Sequence, residues 1–239
     1  MKPILAWPCP LLFRLYHDHR PESTRTQLTY MITAVKICGL MNLADARYAS
    51  GAGADFLGFI QYPASPRYLS AEQAREIIGW LYGAKTVGVF VDEDAEVVNA
   101  KCELANFHYA QLHGNETPAY CEWIDRPIIK VIKVTPESTK AQLEQEVMSF
   151  AHVAEYILFD TGSVGGSGKT FDWNLVQGIT CPLPFLLAGG LNAENVQSAI
   201  AQVRPFGVDV ASGVETAPGV KDFAKIDAFL ENVRIGGKG

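Results

Sequence analysis

No stretch of this chain approaches the roughly 18 consecutive apolar residues that a membrane-spanning helix needs, so no membrane partner is expected. Basic charge is also in short supply. Lys and Arg number 20 against 26 Asp and Glu, giving a net charge of -6 and a pI near 5.4, which disfavours nucleic acid as the main partner. The five cysteines, Cys9, Cys38, Cys102, Cys121 and Cys181, are odd in number and widely spaced, with no C-x-x-C pair. That pattern excludes a disulfide framework and gives no sign of a zinc site or other bound metal, so reduced thiols and a cytoplasmic location are expected. A long polar linker is absent too. With 239 residues, 48% of them hydrophobic, one large domain is the simplest organisation.

What is present falls into two unequal parts. Residues 1–30 carry an apolar run, Ile4 to Phe13, that Pro8 and Pro10 interrupt, followed by a polar stretch from His17 to Gln27 without periodicity. They are expected to be a loosely attached extension, disordered or upstream of the true start, because no small-residue cleavage site marks a signal peptide. From 31–239 short apolar runs alternate with amphipathic stretches. Strands are predicted at Ala34–Cys38, Asp55–Ile60, Lys85–Val91, Tyr109–His113, Ile128–Val134, the run ending at Asp160, Pro184–Ala188 and Phe206–Val210. Helices are predicted at Asn42–Ala52, Ser70–Tyr82, Asp94–Asn106, Thr117–Ile124, Pro136–His152, a short one after Asp172, Asn192–Val203 and Val220–Val233. Strict alternation of this kind demands parallel strands joined by helical crossovers, and eight units of roughly 25 residues fit a compact (β/α)₈ TIM barrel. An open doubly wound sheet is the competitor, but Cys38-Gly39-Leu40-Met41 after the first strand is not its G-x-G-x-x-G turn.

A barrel of this type places its chemistry at the C-terminal ends of the strands, which narrows the candidates to a few side chains. Cys38 ends the first strand; buried cysteine is ordinarily an inert small hydrophobe, yet a thiol at the barrel mouth beside an anion can act as a base or nucleophile. Arg67, stiffened by Pro66, either grips a carboxylate or is a solvated surface residue. His113 and Asp209 either line the pocket or satisfy hydrogen bonds inside the barrel, and Asp92 is read as a helix-entry residue. Gly189 and Gly190 after strand seven, with Ser212 and Gly213 after strand eight, occupy the two loops where barrels commonly bind phosphate; tight turns alone are the alternative reading.

The stretch from Phe159 to Trp173 is the most unusual in the chain, with Asp160 at a strand end and four glycines within Gly162–Gly168. Its Gly168-Lys169-Thr170 ending resembles a P-loop, but the first glycine of G-x-x-x-x-G-K-[ST] would have to stand at Ser163. A glycine-rich cover rooted at Asp160 is the better expectation.

Lys36-Ile37-Cys38-Gly39-Leu40, Gly58-Phe59 with Ser65-Pro66-Arg67, Gly88-Val89-Phe90-Val91, Gln111-Leu112-His113-Gly114, Asp160-Thr161 with Gly165 to Trp173, Leu187-Ala188-Gly189-Gly190-Leu191 and Val208 to Glu215 together resemble the phosphoribosylanthranilate isomerases of tryptophan biosynthesis. The resemblance spans about Met31 to the last helix, although Gln61-Tyr62-Pro63-Ala64 is an atypical approach to Arg67. It implies an Amadori rearrangement of a small phosphoribosyl substrate with no cofactor and no metal. By position it implies Asp160 as general acid, Cys38 as general base, Arg67 on the anthranilate carboxylate and the Gly189-Gly190 and Ser212-Gly213 loops on phosphate. A monomer or homodimer is expected. Two rivals have recognisable signatures: the histidine-pathway sugar isomerase would carry an aspartate at Cys38 and a second phosphate loop, and a non-catalytic binding barrel would not need Cys38 and Asp160 together.

Overall fold

The protein is described by a computed structural model over residues 33–161 and 171–237. The expected extension 1–30 and the glycine-rich segment 162–170 lie outside the described residues. Eight strands, β1 (Ala34–Ile37), β2 (Phe56–Ile60), β3 (Lys85–Phe90), β4 (Tyr109–Leu112), β5 (Ile128–Val134), β6 (Tyr156–Thr161), β7 (Phe185–Leu187) and β8 (Gly207–Val210), close in sequence order into one barrel. Every pairing is parallel, including the seam, where Lys36 lies opposite Asp209 and Ile37 opposite Val210.

Side chains alternate across each strand, and the barrel sorts them accordingly. Outward residues such as Ile37, Leu57, Phe59, Leu112, Ile157 and Phe159 meet the helices α1 (Leu43–Ala52), α2 (Ala71–Ile78), α3 (Ala95–Ala105), α4 (Pro118–Cys121), α5 (Lys140–Phe150), α6 (Val196–Val203) and α7 (Phe223–Gly236) in one large core. At roughly 1.5–3 kcal/mol for each fully buried large side chain, this layer supplies most of the fold's cohesion. The inward residues form a second, smaller core of Ala34, Phe56, Val87, Ile129, Val131, Leu158, Leu186 and Ala188. Rings of Phe56, Tyr109 and Tyr156 meet edge to face at 5.8–5.9 Å near the strand starts and fill the bottom of the barrel. Toward the strand ends the same inward rows turn polar, with Lys36, Gln111, Asp160 and Asp209.

The helices fit their local chemistry. Ser70 with Gln73, and Thr139 with Gln142, build reciprocal capping boxes at the starts of α2 and α5; the latter box is why α5 begins at Lys140 rather than at Pro136. The short helix predicted after Asp172 is a single 3-10 turn, Trp173–Leu175, capped by the Asp172 carboxylate. Gly178 in the left-handed region, followed by Pro182 and Pro184, prevents its extension. Asp92 is not a helix cap, since Asp94 occupies that position at α3. Asp92 has φ 47° and ties the β3 and β4 loops together, its N–H donating to Glu116 and its carboxylate accepting from the Asn115 N–H. A small hairpin, β9 (Glu215–Ala217) with β10 (Val220–Lys221), stands between β8 and α7 where the sequence suggested only a loop and the start of the last helix.

Candidate active site

Cys38 follows β1 directly and is 6% exposed. Its side chain points inward against β2, so closely that a Cβ built on Gly58 would stand 2.7 Å from Sγ. Two residues earlier on the same inward row is Lys36, wholly buried, whose Nζ donates to Asp209 Oδ1 at 2.8 Å across the barrel seam. Burial pushes the Cys38 thiol up; the Lys36 ammonium, close enough to hydrogen-bond the sulfur, pulls it down, and the Asp209 carboxylate pushes it up again, for a net rise. Burial works against charge on Lys36, but Asp209 and Cys38 more than offset it and the ammonium is held above its ordinary value.

Arg67 is buried, which excludes the solvated alternative. From the β2–α2 loop its Nε donates to Glu215 Oε1 and Oε2 at 3.0 and 3.1 Å, and its Nη2 donates to Oε2 at 2.7 Å. Lys221 of β10 donates to the same carboxylate at 2.7 Å and to the Cys38 carbonyl at 2.5 Å. The atypical Gln61–Ala64 approach is anchored by Gln61, whose Nε2 donates to the Leu69 carbonyl at 2.9 Å.

Across the mouth, Asp160 is 8% exposed near the end of β6, with Oδ1 accepting from the Thr161 N–H at 2.7 Å and Oδ2 standing 3.3 Å from His113 Nε2. Behind His113, buried Gln111 places Nε2 at 3.4 Å from Nδ1, while its Oε1 has no hydrogen-bond partner among the described residues. Gly189, at φ 84°, lies against this group: a Cβ there would meet Thr161 Cγ2 at 2.6 Å and Asp160 Oδ1 at 3.0 Å. Gly190 follows at φ 67°, its carbonyl held by Asn195 Nδ2 at 3.0 Å. The loop after β8 runs through a 3-10 turn, Ser212–Val214, and packs directly on the loop after β7, because a Cβ on Gly213 would overlap the Leu191 carbonyl oxygen.

The structure therefore brings the named residues into three adjoining groups at one mouth: Cys38 with Lys36, Asp209, Arg67, Glu215 and Lys221; Asp160 with His113; and Gly189-Gly190 with Ser212-Gly213. Lys36, Gln111, Glu215 and Lys221 were not singled out by sequence reasoning. Lys36 had a signal, a lysine inside an otherwise apolar strand, where an ammonium demands a buried partner.

Comparison with known proteins matches residues 35–232 to the family described as N-(5'phosphoribosyl)anthranilate (PRA) isomerase. A relative of that name from Pelobacter propionicus is 43% identical over 199 residues, 82% of this chain and 93% of the relative. One from Pseudomonas putida is 46% identical over 203 residues, 83% and 96%. Among solved structures, the phosphoribosyl anthranilate isomerase of Thermotoga maritima superimposes with a TM-score of 0.77 at 42% identity, covering 84% of this chain and 98% of that one. Another, in complex with reduced 1-(o-carboxyphenylamino)-1-deoxyribulose 5-phosphate, superimposes with a TM-score of 0.74 at 39% identity and the same coverage.

Proposed function

Because the chain belongs to the N-(5'-phosphoribosyl)anthranilate isomerase family and so converts phosphoribosylanthranilate to the carboxyphenylamino-deoxyribulose 5-phosphate of tryptophan biosynthesis, we propose that Cys38 is its general base and Asp160 its general acid. The observation that carries this assignment is the placement of a thiol at the end of β1 and a carboxyl on β6 at the same mouth of a closed parallel barrel.

Protonated Asp160 gives its proton to the ribose ring oxygen as the C1'–O bond breaks, and the anthranilate nitrogen lone pair forms a C=N bond to C1'. The Cys38 thiolate then takes the C2' proton, and the electrons of that bond shift to form the enolamine. Reprotonation at C1' and loss of the 2'-hydroxyl proton give the ketone, so proton and electron counts balance without an external oxidant. Acid and base must begin in opposite protonation states. Lys36 supports the thiolate and Asp209 opposes it, so the buried pair sets the working range of the base. His113, beside Asp160, orients the carboxyl toward the ring oxygen. Arg67 takes the anthranilate carboxylate, and Gly189, Gly190, Ser212 and Gly213 hold the phosphate with backbone N–H groups.

A small phosphoribosyl molecule is thus the partner, without nucleic acid or membrane. No helix among the described residues is long and apolar enough to cross a membrane, and the biosynthetic role and reduced cysteines favour the cytoplasm. The protein acts as a monomer or homodimer; a Thermotoga maritima relative is described as dimeric.

The test is complementation. The chain should restore growth of a tryptophan auxotroph lacking this isomerase and not that of a histidine auxotroph lacking the analogous sugar isomerase. Cys38→Ser and Asp160→Asn should each fail to complement, with turnover reduced by at least about 10²–10⁴-fold while the reduced product analogue still binds. Near-normal turnover in both variants would overturn the assignment.

A further inference from the structure

The guanidinium of Arg67 is held along one edge by a carboxylate that is itself buried. Nε and Nη2 both point into Glu215, which leaves Nη1 as the donor edge unengaged among the described residues. The glutamate is fixed from three further directions. Lys221 Nζ donates to Oε1 at 2.7 Å, Lys225 Nζ donates to the Glu215 carbonyl at 2.7 Å, and the β9–β10 hairpin places Lys221 opposite Glu215. Lys221 also donates to the carbonyls of Cys38 and Ala211, at 2.5 and 3.2 Å. The Arg67 stem passes over Gly39, whose φ of 75° and missing Cβ permit the approach; a Cβ there would stand 2.6 Å from Arg67 Cδ.

An arginine free to rotate would lose several rotors on gripping a ligand, whereas one already clamped loses few. A buried carboxylate between two cations, with both of its oxygens engaged, is costly to assemble and brings no evident stability over an apolar packing. Its position between the β2 and β8 loops makes sense as a bracket that aims the guanidinium. We infer that Glu215 is a positioning residue for the reaction: it takes the Nε–Nη2 edge of Arg67 and so presents the Nη1 edge to the anthranilate carboxylate, while Lys221 fixes Glu215 against the backbone of Cys38. The inference rests on the reading of Arg67 as the carboxylate grip, and it adds that this grip is set before substrate arrives.

The test uses two competitive inhibitors, reduced 1-(o-carboxyphenylamino)-1-deoxyribulose 5-phosphate and the matching reduced phenylamino compound without the carboxyl group, with inorganic phosphate as control. The unmodified enzyme should prefer the carboxylated inhibitor by about tenfold or more, the range of hydrogen bonds to charged groups. Glu215→Gln should bring the preference to within about threefold, raise KM more than it lowers kcat, and leave inhibition by phosphate within about twofold of normal. Arg67→Lys, which keeps charge but loses the fork, should lose the preference as well, and the double variant should be no worse than either single one. If Arg67→Lys retains the preference, the reading of Arg67 itself fails. If Arg67→Lys loses it and Glu215→Gln keeps it, the bracket is overturned while that reading stands. Loss of phosphate inhibition in Glu215→Gln would likewise overturn the bracket, because it marks a general structural role. Glu215→Asp carries the same test if the glutamine variant does not fold, since it retains the charge and withdraws the carboxylate by one methylene.

Discussion

Lys36 Nζ stands 2.8 Å from Asp209 Oδ1, with the lysine side chain fully buried and the aspartate side chain 10% exposed, immediately behind the Cys38 thiol. The two charges act on the thiol in opposite senses, which makes their separate removal informative. Lys36→Met should move the midpoint of Cys38 thiolate formation, read as ultraviolet absorbance, to higher pH, and Asp209→Asn should move it to lower pH. Each variant leaves a buried partner uncompensated, so each should also lose about 3–5 kcal/mol of stability. Shifts of the same sign in both pH profiles would exclude the pair as the control on Cys38.

The unmodified enzyme should show the same chemistry in its own profile. Because burial raises the thiol, thiolate formation at Cys38, read as ultraviolet absorbance against a Cys38→Ser control, is expected to have its midpoint above the ordinary cysteine value of about 8.5. A midpoint well below that value would mean that burial does not control the thiol.

Two glycines separate the base from the phosphate loops. Gly58→Ala drives a methyl into Cys38 Sγ and should lower kcat with little effect on the phosphate inhibition constant. Gly213→Ala forces apart the loops after β7 and β8 at Leu191 and should weaken phosphate and substrate affinity first. Steady-state kinetics with phosphate as inhibitor distinguishes the two, and interchangeable effects would show that the groups are not separable.

Glu215 gives the fold an acid-sensitive joint. Burial raises its carboxyl, but Arg67 and Lys221 lower it further, for a net fall below the ordinary glutamate value of about 4.3. The stability it contributes is full above that ordinary value and is lost as pH falls through the lowered folded value. Urea midpoints measured from pH 6 down to pH 3 should therefore fall more steeply in the unmodified protein than in Glu215→Gln.

Deletion of residues 1–30, leaving Met31 as the start, should preserve activity and stability, since β1 begins at Ala34 and closes against β8 with its own register. A loss of turnover on deletion would give the extension a role in the catalytic unit.

The barrel was legible because alternation of short apolar runs with amphipathic stretches is a property of neighbouring residues. Strand positions fell within a residue or two, and Cys38, Asp160, Gly189 and Gly213 could be placed because a strand end is visible locally. The short helix expected after Asp172 is there as a single 3-10 turn, because a capping aspartate signals the start of a turn without fixing its length; Gly178 and the two prolines beyond it decided how short it is. Glu215 and Lys221 were invisible for a different reason. Their meaning lies in Arg67 and Cys38, residues 148 and 183 positions away, and one chain carries no trace of such pairing.

The Lys221 bond to the Cys38 carbonyl also has an implication in time. Synthesis delivers the reactive thiol first, and the bracket that fixes its backbone follows 183 residues later. Until β8 and the hairpin close the seam, the cysteine lacks Asp209, Glu215 and Lys221 alike. Catalytic competence therefore waits on residue 221, and a nascent chain halted before it would carry every strand of the barrel and still have an unfinished base.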